Sequence, residues 1–466
     1  MRITTVSQTN FSILNLQQSL TENLISLGYQ TMTPIQEQSL PYVLGGADLI
    51  AQGQTGSGKT AAFGLGLLEQ LDVKLFQVQS LVLCPTRELA DQVAKEIRKL
   101  GRSIHNIKVL TVCGGMPFGP QIGSLEHGAH IVVGTPGRIE EHLRKGTLKL
   151  DRLKTLVLDE ADRMLEMGFQ SALDTIVEKT PSDRQTLLFS ATFPDQIKAI
   201  SKRILKKPEH VQVASTHDSS SIQQHLYKID EDIDRLTAVR LLLLQYTPGS
   251  SVVFCNTKKE AQKVADELFR YGFSAQALHG DLEQRDRDQT LVKFANKSIS
   301  VLVATDVAAR GLDIDALDAV INYHIAHDSE VHIHRIGRTG RAGNKGMAFT
   351  LFDESEDYKV AMLEAYLGHS IDVETLPPLR LLEKNAPRAS MITLLIDGGK
   401  KQKVRAGDIL GALTGENGIA GKQVGKISLF DNRAYVAVTR TAAKLALKKL
   451  DEGKLKGRSF RVRRLG

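Results

Sequence analysis

The stretch Gly53-Gln54-Thr55-Gly56-Ser57-Gly58-Lys59-Thr60 fits the pattern G-x-x-x-x-G-K-[ST]. An apolar segment precedes it, and the helix-forming run 61–71 follows it. In such a strand–loop–helix unit, glycines let consecutive backbone N–H groups turn inward around phosphate oxygens. Lys59 is then placed to neutralise the β and γ phosphates, and Thr60 to ligate magnesium. The stretch therefore predicts that a nucleoside triphosphate and Mg²⁺ bind to an α/β domain.

Short apolar runs alternate with helix-length amphipathic segments through most of the chain. The runs are 80–84, 131–133, 155–158 and 187–189, followed by 252–255, 300–304, 319–321 and 348–351. Strands buried on both faces have this composition, which favours parallel sheets between layers of helices. A polar stretch, 214–224, separates the two series. We expect two tandem α/β domains, 1–213 and 225–370, joined by linker 214–224.

The positive charge of the chain lies at its carboxyl end. Residues 390–466 contain 17 Lys and Arg against 6 Asp and Glu, a net charge of +11, whereas the other residues sum to −4. This asymmetry indicates a polyanionic partner for the last segment. A basic solvated tail is the alternative. A second linker, 371–389, contains three prolines and precedes the basic segment.

The basic segment has the pattern of a folded domain. Strands are expected at 391–396, 426–430, 434–438 and 460–463. Asp408 is expected to cap one helix, and Thr441 to open another. The order β-α-β-β-α-β predicts a small ferredoxin-like, RRM-like α+β domain over 390–466.

Composition narrows the functional classes. A hydrophobic content of 42% and a charged content of 24% are typical of a soluble globular protein. The opening stretch lacks the apolar core of a signal peptide, and no run is long enough to span a bilayer. Cys84, Cys113 and Cys255 form no C-x-x-C pair, which predicts reduced thiols and no zinc site. We expect a cytoplasmic protein without a membrane partner.

The run 155–158 ends in two acids, as the second half of a phosphate site requires. Asp159 is placed to hold magnesium, and Glu160 to orient or deprotonate the attacking water. Arg338 and Arg341, within 334–341, are candidates to stabilise charge on the transferred phosphate from a second domain. The alternatives are a solvated helix start for the acids and structural salt bridges for the arginines.

Asp159-Glu160-Ala161-Asp162 spells the motif of the DEAD-box RNA helicases, and the sequence resembles that family over about residues 11–370. The resemblance implies two RecA-like domains and a Q motif at 28–36, in which Met32 replaces the usual proline. It implies coupling of hydrolysis to strand separation through Ser190 and Thr192. It further implies ATP contacts by Tyr29, Gln36, Gly53, Gln54, Thr55, Gly56, Ser57, Gly58, Lys59, Thr60 and Asp313.

The same resemblance implies RNA contacts that do not read bases. Hydroxyls, N–H groups and guanidinium groups near helix starts fix the register of a nucleic-acid backbone without sequence information. The residues concerned are Pro85, Thr86, Arg87, Gly115, Thr135, Pro136, Gly137, Arg138 and Arg310.

The basic segment is similar to the C-terminal domain of one bacterial group within this family. The resemblance is carried by 394–401, 407–415 and 435–438. It implies binding to a hairpin of large-subunit ribosomal RNA, a role in ribosome assembly, and RNA contacts by Lys400, Lys401 and Lys403. The aromatic triad that stacks bases in ordinary RRM domains is missing around Tyr435, so we expect recognition by basic residues and loops.

The function expected from the sequence is ATP-dependent unwinding of short RNA duplexes. Two alternatives stay open at this point: a DNA translocase or repair helicase, and an ATP-gated RNA clamp without useful catalysis. The oligomeric state is also open.

Overall fold

The computed structural model describes residues 9–53, 56–213, 222–230, 232–309, 317–340 and 346–465. These residues form two compact units, 9–213 and 222–465. Gln54, Thr55, Arg310, Asp313 and Arg341, for which the sequence predicts functions, lie outside the described residues.

The first unit is a seven-stranded parallel sheet between helices, with strand order β3-β4-β2-β5-β6-β1-β7. The strands are β1 Leu49–Gln52, β2 Ser80–Leu83, β3 Val109–Val112, β4 Ile131–Gly134, β5 Thr155–Asp159, β6 Gln185–Ser190 and β7 Glu209–Gln212. The helices are α1 Gln18–Ser26, α2 Pro34–Leu44, α3 Lys59–Glu69, α4 Arg87–Leu100, α5 Phe118–Glu126, α6 Pro136–Arg144, α7 Ala161–Glu166, α8 Gln170–Glu178 and α9 Asp195–Ile204.

Both faces of this sheet are buried, as the apolar runs predict. Successive side chains of a strand point to opposite faces. Val82 and Leu187 accordingly belong to one hydrophobic core, whereas Leu81 and Leu188 belong to a second core on the other face. The prediction of strands buried on both faces is therefore confirmed for the first unit.

The second unit begins with another seven-stranded parallel sheet, of order β10-β11-β9-β12-β13-β8-β14. Its strands are β8 Ile222–Lys228, β9 Ser251–Phe254, β10 Ala275–Leu278, β11 Val301–Ala304, β12 Ala319–Asn322, β13 Gly346–Phe352 and β14 Val373–Glu374. Its helices are α10 Arg235–Tyr246, α11 Lys258–Arg270, α12 Gln284–Ala295, α13 Asp306–Ala309, α14 Ser329–Ile336 and α15 Asp357–Leu367.

The basic segment folds as an antiparallel four-stranded sheet of order β16-β17-β15-β18, with two helices. Its elements are β15 Met391–Ile396, α16 Ala406–Thr414, β16 Val424–Leu429, β17 Ala434–Thr439, α17 Ala443–Glu452 and β18 Val462–Arg464. The predicted ferredoxin-like order is confirmed, and with it the fold class: two parallel-sheet RecA-like domains and a small α+β domain.

Two boundaries predicted for this small domain are wrong. Asp408 does not cap α16 but lies in its first turn, where its carboxylate accepts a hydrogen bond from the backbone N–H of Arg405 (2.8 Å). In a capping box, such an acid lies three residues after the N-cap and accepts a hydrogen bond from the N-cap amide. An acid of this kind, taken for the N-cap itself, therefore places the helix start three residues too late. The second helix begins at Ala443, not at Thr441, because Ala442 is its N-cap.

One face of the four-stranded sheet packs on the preceding RecA-like domain. Leu395 and Tyr435 lie in a small apolar cluster with Val292 of α12. Beside this cluster, the Thr393 hydroxyl accepts a hydrogen bond from Nδ2 of Asn296 (3.2 Å). The opposite face is covered by α16 and α17. Both faces of this small sheet are therefore in contact with protein.

No helix in the described ranges combines the length and apolarity needed to cross a bilayer.

The contact between α2 and α3 makes a prediction about stability. A Cβ added at Gly66 of α3 would overlap Cγ1 of Val43, which is fully buried on α2. Gly66→Ala should therefore destabilise the first domain by about 1–3 kcal/mol, because overpacking outweighs the gain in helix propensity. Gly123→Ala is the matched control, since Gly123 lies in α5 with nothing within 4 Å of an added Cβ. Differential scanning calorimetry should show a lower melting transition for Gly66→Ala alone; equal transitions for the two variants would contradict this packing argument.

Candidate functional site

The glycine-rich loop lies between β1 and α3. Gly56 and Gly58 have φ values of 86° and 96°, in the left-handed region that favours glycine. Lys59 is the first residue of α3 and is only 7% exposed. Its ammonium group donates a hydrogen bond to the carbonyl of Gly53 (2.8 Å), so the side chain folds back across the loop. This arrangement holds a positive charge beside the backbone amides that face a phosphate group in such loops.

The segment before α2 is bonded to this loop. The Thr33 hydroxyl donates to the carbonyl of Ser57 (2.7 Å), and Nε2 of Gln36 donates to the carbonyl of Gly58 (3.1 Å). Oε1 of Gln36 accepts from the Thr33 amide (2.9 Å), which closes a capping box at the start of α2. The structure thus brings the predicted Q motif and the phosphate loop together.

The aromatic ring of Tyr29 is held on several sides. Its hydroxyl donates to Oε1 of Glu96 (2.6 Å), and the Lys99 ammonium lies 5.2 Å from the ring centroid. Phe11 meets the ring edge-on, with centroids 6.0 Å apart. Met32, the departure from the family pattern, is buried in the core beneath this segment. The substitution therefore leaves the local packing of the motif intact.

Asp159 is the last residue of β5 and Glu160 follows it, and each is only 3% exposed. A solvated acidic helix start is therefore excluded for both residues. Burial raises the pKa of Asp159 to about 7, although the charge of Lys59 opposes this shift. Among the described residues, Oδ1 of Asp159 is buried without a hydrogen-bond partner. A hard divalent cation, which prefers carboxylate and hydroxyl oxygens, fits this unsatisfied group and the nearby Thr60 at the start of α3.

Glu160 has an unusual backbone conformation for a residue with a side chain. It is the N-cap of α7 with φ 53° and ψ 52°, a left-handed conformation that is unfavourable for non-glycine residues. Its carboxylate lies 3.3 Å from Nε of Arg163, which is also buried. The strain is held by the surrounding fold, as is common at functional sites.

Asp162 connects α7 to the end of β6. One of its carboxylate oxygens accepts hydrogen bonds from both the amide and the hydroxyl of Thr192 (2.9 Å each). Its own amide donates to the Ser190 hydroxyl (3.3 Å). Burial raises the pKa of Asp162, but the charge of Arg163 and the bonds from Thr192 outweigh burial and lower it. Ser190 and Thr192 are therefore fixed directly to the acidic motif.

Three further predicted segments lie at the same edge of the first sheet. Thr86 and Thr135 are the N-caps of α4 and α6, which follow the neighbouring strands β2 and β4. The amide of Gly114 donates to the Thr135 hydroxyl (3.2 Å), and Nη1 of Arg138 donates to the carbonyl of Met116 (2.9 Å). The carboxyl ends of parallel strands share one edge of a sheet, where α/β proteins commonly bind ligands.

In the second unit, Arg335 forms a network that the sequence analysis missed. Its guanidinium group makes two bonds of 2.7 Å to Asp306 and one of 2.8 Å to the carbonyl of His324. A further bond of 3.2 Å joins it to Asn256. The predicted Arg338 follows α14 and is 6% exposed. The sequence offered one indication, a partly buried aspartate, Asp306, shortly after β11. To pair it with Arg335, however, the order of the strands must be known.

Histidine and cysteine side chains show no metal centre in the described part of the chain. No group of three or more His, Cys, Asp or Glu residues there is arranged to hold a metal ion. Burial lowers the pKa of His332 to about 3, so this side chain is neutral at physiological pH. The three cysteines are free and buried, and burial raises the pKa of each thiol.

The lysines predicted to contact RNA in the small domain lie on an exposed loop. Lys400 and Lys401 are in a 3-10 helix, Lys400–Gln402, and Lys403 follows it with φ 62°. The amides of Lys400 and Lys401 donate to the carbonyls of Phe430 (2.9 Å) and Asp431 (2.8 Å), beside the β16–β17 turn. Tyr435, by contrast, is 4% exposed because it packs on α12.

Comparison with known proteins identifies all three parts of the chain. Residues 33–200 match the DEAD/DEAH box helicase family, 233–343 the helicase conserved C-terminal domain, and 393–464 the DbpA RNA binding domain. The ATP-dependent RNA helicase DbpA of Escherichia coli is 53% identical over 98% of this chain and 100% of its own length. DbpA of Bacillus subtilis is 36% identical over 97% of this chain and 98% of its own length. A solved structure of Saccharomyces cerevisiae Dbp5 bound to RNA and ADP BeF3 superposes with a TM-score of 0.71 and 30% identity, covering 81% of this chain and 100% of that one.

The geometry of the glycine-rich loop predicts a selective loss of nucleotide binding. A Cβ at Gly58 would lie 2.5 Å from Nε2 of Gln36 and 2.9 Å from Oγ1 of Thr33, at a left-handed φ. Gly58→Ala should therefore weaken ATP binding at least about tenfold, since left-handed strain alone costs about 1–2 kcal/mol. Gly46→Ala is the control, because Gly46 has φ 79° with nothing within 4 Å of an added Cβ. Titration with a fluorescent ATP analogue should separate the two variants, and equal affinities would count against the proposed loop.

Proposed function

Because this chain belongs to the DEAD-box family of ATP-dependent RNA helicases, we propose that it couples RNA-stimulated ATP hydrolysis to local unwinding of short duplexes in ribosomal RNA. The main support for this proposal is that hydrogen bonds join the sequence motifs of the first domain to one another. Lys59 lies across the phosphate loop, the Q motif is bonded to that loop, and Asp162 is bonded to Thr192.

ATP binding rests on the first domain. The backbone amides of the glycine-rich loop and the ammonium group of Lys59 hold the phosphates. Tyr29 and Gln36 recognise the adenine, and the bond from Gln36 to the Gly58 carbonyl links base recognition to the phosphate loop. Asp313 contributes from the second domain to binding the nucleotide. These roles follow the family motifs residue by residue.

Magnesium fits the residues that the family assigns to it. Thr60 and Asp159 would hold the ion, which supplies positive charge to the β and γ phosphate oxygens. The buried Oδ1 of Asp159, which lacks a hydrogen-bond partner among the described residues, supports this assignment, because the charge of Lys59 and a backbone hydrogen bond from Glu160 offset the burial of the carboxylate only in part. Burial, with a smaller contribution from the charge of Glu160, raises the pKa of Asp159 to about 7, and a bound cation would oppose this shift.

Glu160 is the residue proposed to act on the attacking water. Glu160 has a left-handed backbone, and its carboxylate is held by Arg163 of the helix that follows, at 3.3 Å. A carboxylate held in this way orients water and accepts its proton as the bond to the γ phosphorus forms. Arg338 and Arg341 are proposed to stabilise the charge that develops on the phosphate oxygens.

Coupling to RNA is proposed to pass through Asp162. Its carboxylate holds Thr192, and its amide is bonded to Ser190, so the acidic motif and the end of β6 move together. The RNA backbone is proposed to bind at the same edge of the sheet. The residues concerned lie at the starts of α4 and α6 and in the loop after β3: Pro85, Thr86, Arg87, Gly115, Thr135, Pro136, Gly137 and Arg138. Arg310 is proposed to contribute from the second domain.

The small domain is proposed to bind a hairpin of large-subunit ribosomal RNA and so to direct the helicase to ribosome assembly. Its net charge of +11 supports a polyanionic partner. The burial of Leu395 and Tyr435 against α12 argues against base stacking at the centre of the sheet. The exposed loop with Lys400, Lys401 and Lys403 is the surface proposed for RNA contact.

The first test compares nucleic acids as activators. RNA should stimulate ATP hydrolysis by the full chain, whereas DNA of the same sequence should not; equal stimulation would point to a DNA translocase instead.

Glu160→Gln should abolish turnover while leaving ATP binding intact, because the amide cannot accept a proton. Steady-state ATPase assays and duplex unwinding measure both effects. Unwinding that survives in Glu160→Gln would refute the role of this residue.

The second test concerns the basic loop. Lys400→Glu/Lys401→Glu should weaken binding to the ribosomal hairpin strongly and reduce its salt dependence, because fewer counterions are released from phosphates. Lys444→Glu/Lys448→Glu, on exposed positions of α17, changes the net charge equally and serves as the control. Filter binding at several salt concentrations should separate the pairs. If both pairs weaken binding alike, overall charge and not this loop determines recognition.

A further inference from the structure

Gln121 of α5 is bonded to three residues in two different parts of the first domain. Its Nε2 donates to the carbonyl of Cys113 (3.0 Å), next to Gly114 and Gly115. Its Oε1 accepts from Nη1 of Arg138 (3.0 Å) and faces Nε2 of His142 at the same distance. Arg138 and His142 both lie in α6. One amide group therefore joins the loop after β3 to the helix after β4.

These contacts determine the protonation of His142. An arginine only donates, so Oε1 must be the Gln121 atom that faces Arg138 and His142. His142 must then donate from Nε2. Its Nδ1 faces the Thr147 hydroxyl (2.8 Å), which also lies 3.2 Å from the His142 carbonyl. When the imidazole is neutral, its hydrogen is therefore on Nε2. Burial, followed by the charge of Arg138, lowers the pKa of His142 to about 4, in agreement with this state.

The His142 ring is fixed by packing as well. It is 0% exposed and stacks on Phe118 of α5, with ring centroids 4.1 Å apart and planes inclined by 17°. The Lys145 ammonium lies 4.0 Å from the centroid of Phe118. A ring held by stacking and by two hydrogen bonds cannot turn without breaking them, so it keeps Gln121 in place.

Arg138 is the side chain that this network directs. Its Nη1 donates to Gln121 and to the carbonyl of Met116 (2.9 Å), and its Nε lies 3.1 Å from Glu141. These contacts set the plane of the guanidinium group and leave Nη2 as its remaining nitrogen. The loop that contains Met116 is tied to α6 by the same side chain, and the Gly114 amide is bonded to Thr135.

We infer that Gln121 and His142 are positioning residues for RNA binding, which hold the Gly114–Gly115 loop and the Arg138 guanidinium group in one arrangement that fits consecutive RNA phosphates. They act through Arg138 and the loop and do not touch RNA themselves. The inference rests on the proposed RNA contact of Arg138. It goes beyond that contact by naming the buried residues that orient the Arg138 guanidinium group.

The experiment measures RNA dependence in the full-length protein with a single-stranded RNA of fixed sequence. Gln121→Leu should raise the RNA concentration for half-maximal ATPase activity about tenfold, as expected for losing hydrogen bonds to a charged group. The KM for ATP at saturating RNA should stay unchanged. The slope of log affinity against log salt should fall by about 0.7, the value for one lost phosphate contact on a single strand. A purely structural role would not change this slope.

Two controls accompany Gln121→Leu. Ser124→Ala alters the same helix without touching the network and should behave as the unaltered protein, since its hydroxyl bonds only its own helix at Pro120. Thr147→Val removes the hydroxyl that faces Nδ1 of His142 and should produce a smaller increase in the same direction. If Gln121→Leu fails to fold, Thr147→Val and His142→Gln carry the test.

A double-mutant cycle with Arg138→Ala separates the possible failures. If Gln121 acts in part through Arg138, Gln121→Leu should have a clearly smaller effect once Arg138 is removed, and the effect that remains reports its bond to the loop at Cys113. Additive effects, or an unchanged salt slope in Gln121→Leu, would overturn the positioning role. If Arg138→Ala itself leaves RNA affinity unchanged, then the proposed RNA contact of Arg138 fails first.

Discussion

The attraction between the buried carboxylate of Asp159 and the ammonium group of Lys59 is the constraint around which the nucleotide site is built. Burying a carboxylate is unfavourable unless a positive charge or hydrogen bonds compensate it. Here Lys59 compensates in part, and Oδ1 of Asp159 is left for a cation. This arrangement supports the proposed binding of a metal–nucleotide complex, which would supply positive charge to Asp159 and phosphates to Lys59.

Around this pair, the motifs are joined by side chains that cross between loops. Gln36 bonds the phosphate loop, Asp162 bonds the end of β6, and Gln121 bonds both the loop after β3 and α6. The Asp162–Thr192 and Gln121–Arg138 bonds join segments that follow neighbouring strands, β5 with β6 and β3 with β4, whereas Gln36 joins the helix before β1 to the loop after it. Buried hydrogen bonds of this kind are costly to leave unmade, so they keep the loops in a single arrangement. This rigidity suits an enzyme in which ATP and RNA sites must respond to each other.

The small domain uses its fold differently from an ordinary RRM. In an RRM, aromatic residues on the open sheet face stack on bases. Here that face packs on α12, with Leu395 and Tyr435 in the contact, so the centre of the sheet is not open to bases. The docking also fixes the small domain relative to the RecA-like domain within the same unit. The Lys400–Lys403 loop is thus presented from a supported position and not from a flexible tail.

The sequence by itself determined the fold class and the order of the motifs, and it supplied the candidate nucleotide-binding residues, because strand and loop patterns are local. It placed Asp408 wrongly, since the acid of a capping box and a true N-cap look alike in sequence. Tertiary structure alone decided the strained backbone of Glu160, the raised pKa of Asp159, the network of Arg335, the neutral His142 and the burial of Tyr435. Each depends on which strands are neighbours and on how deeply a side chain is buried, and neither is encoded within a short stretch of residues.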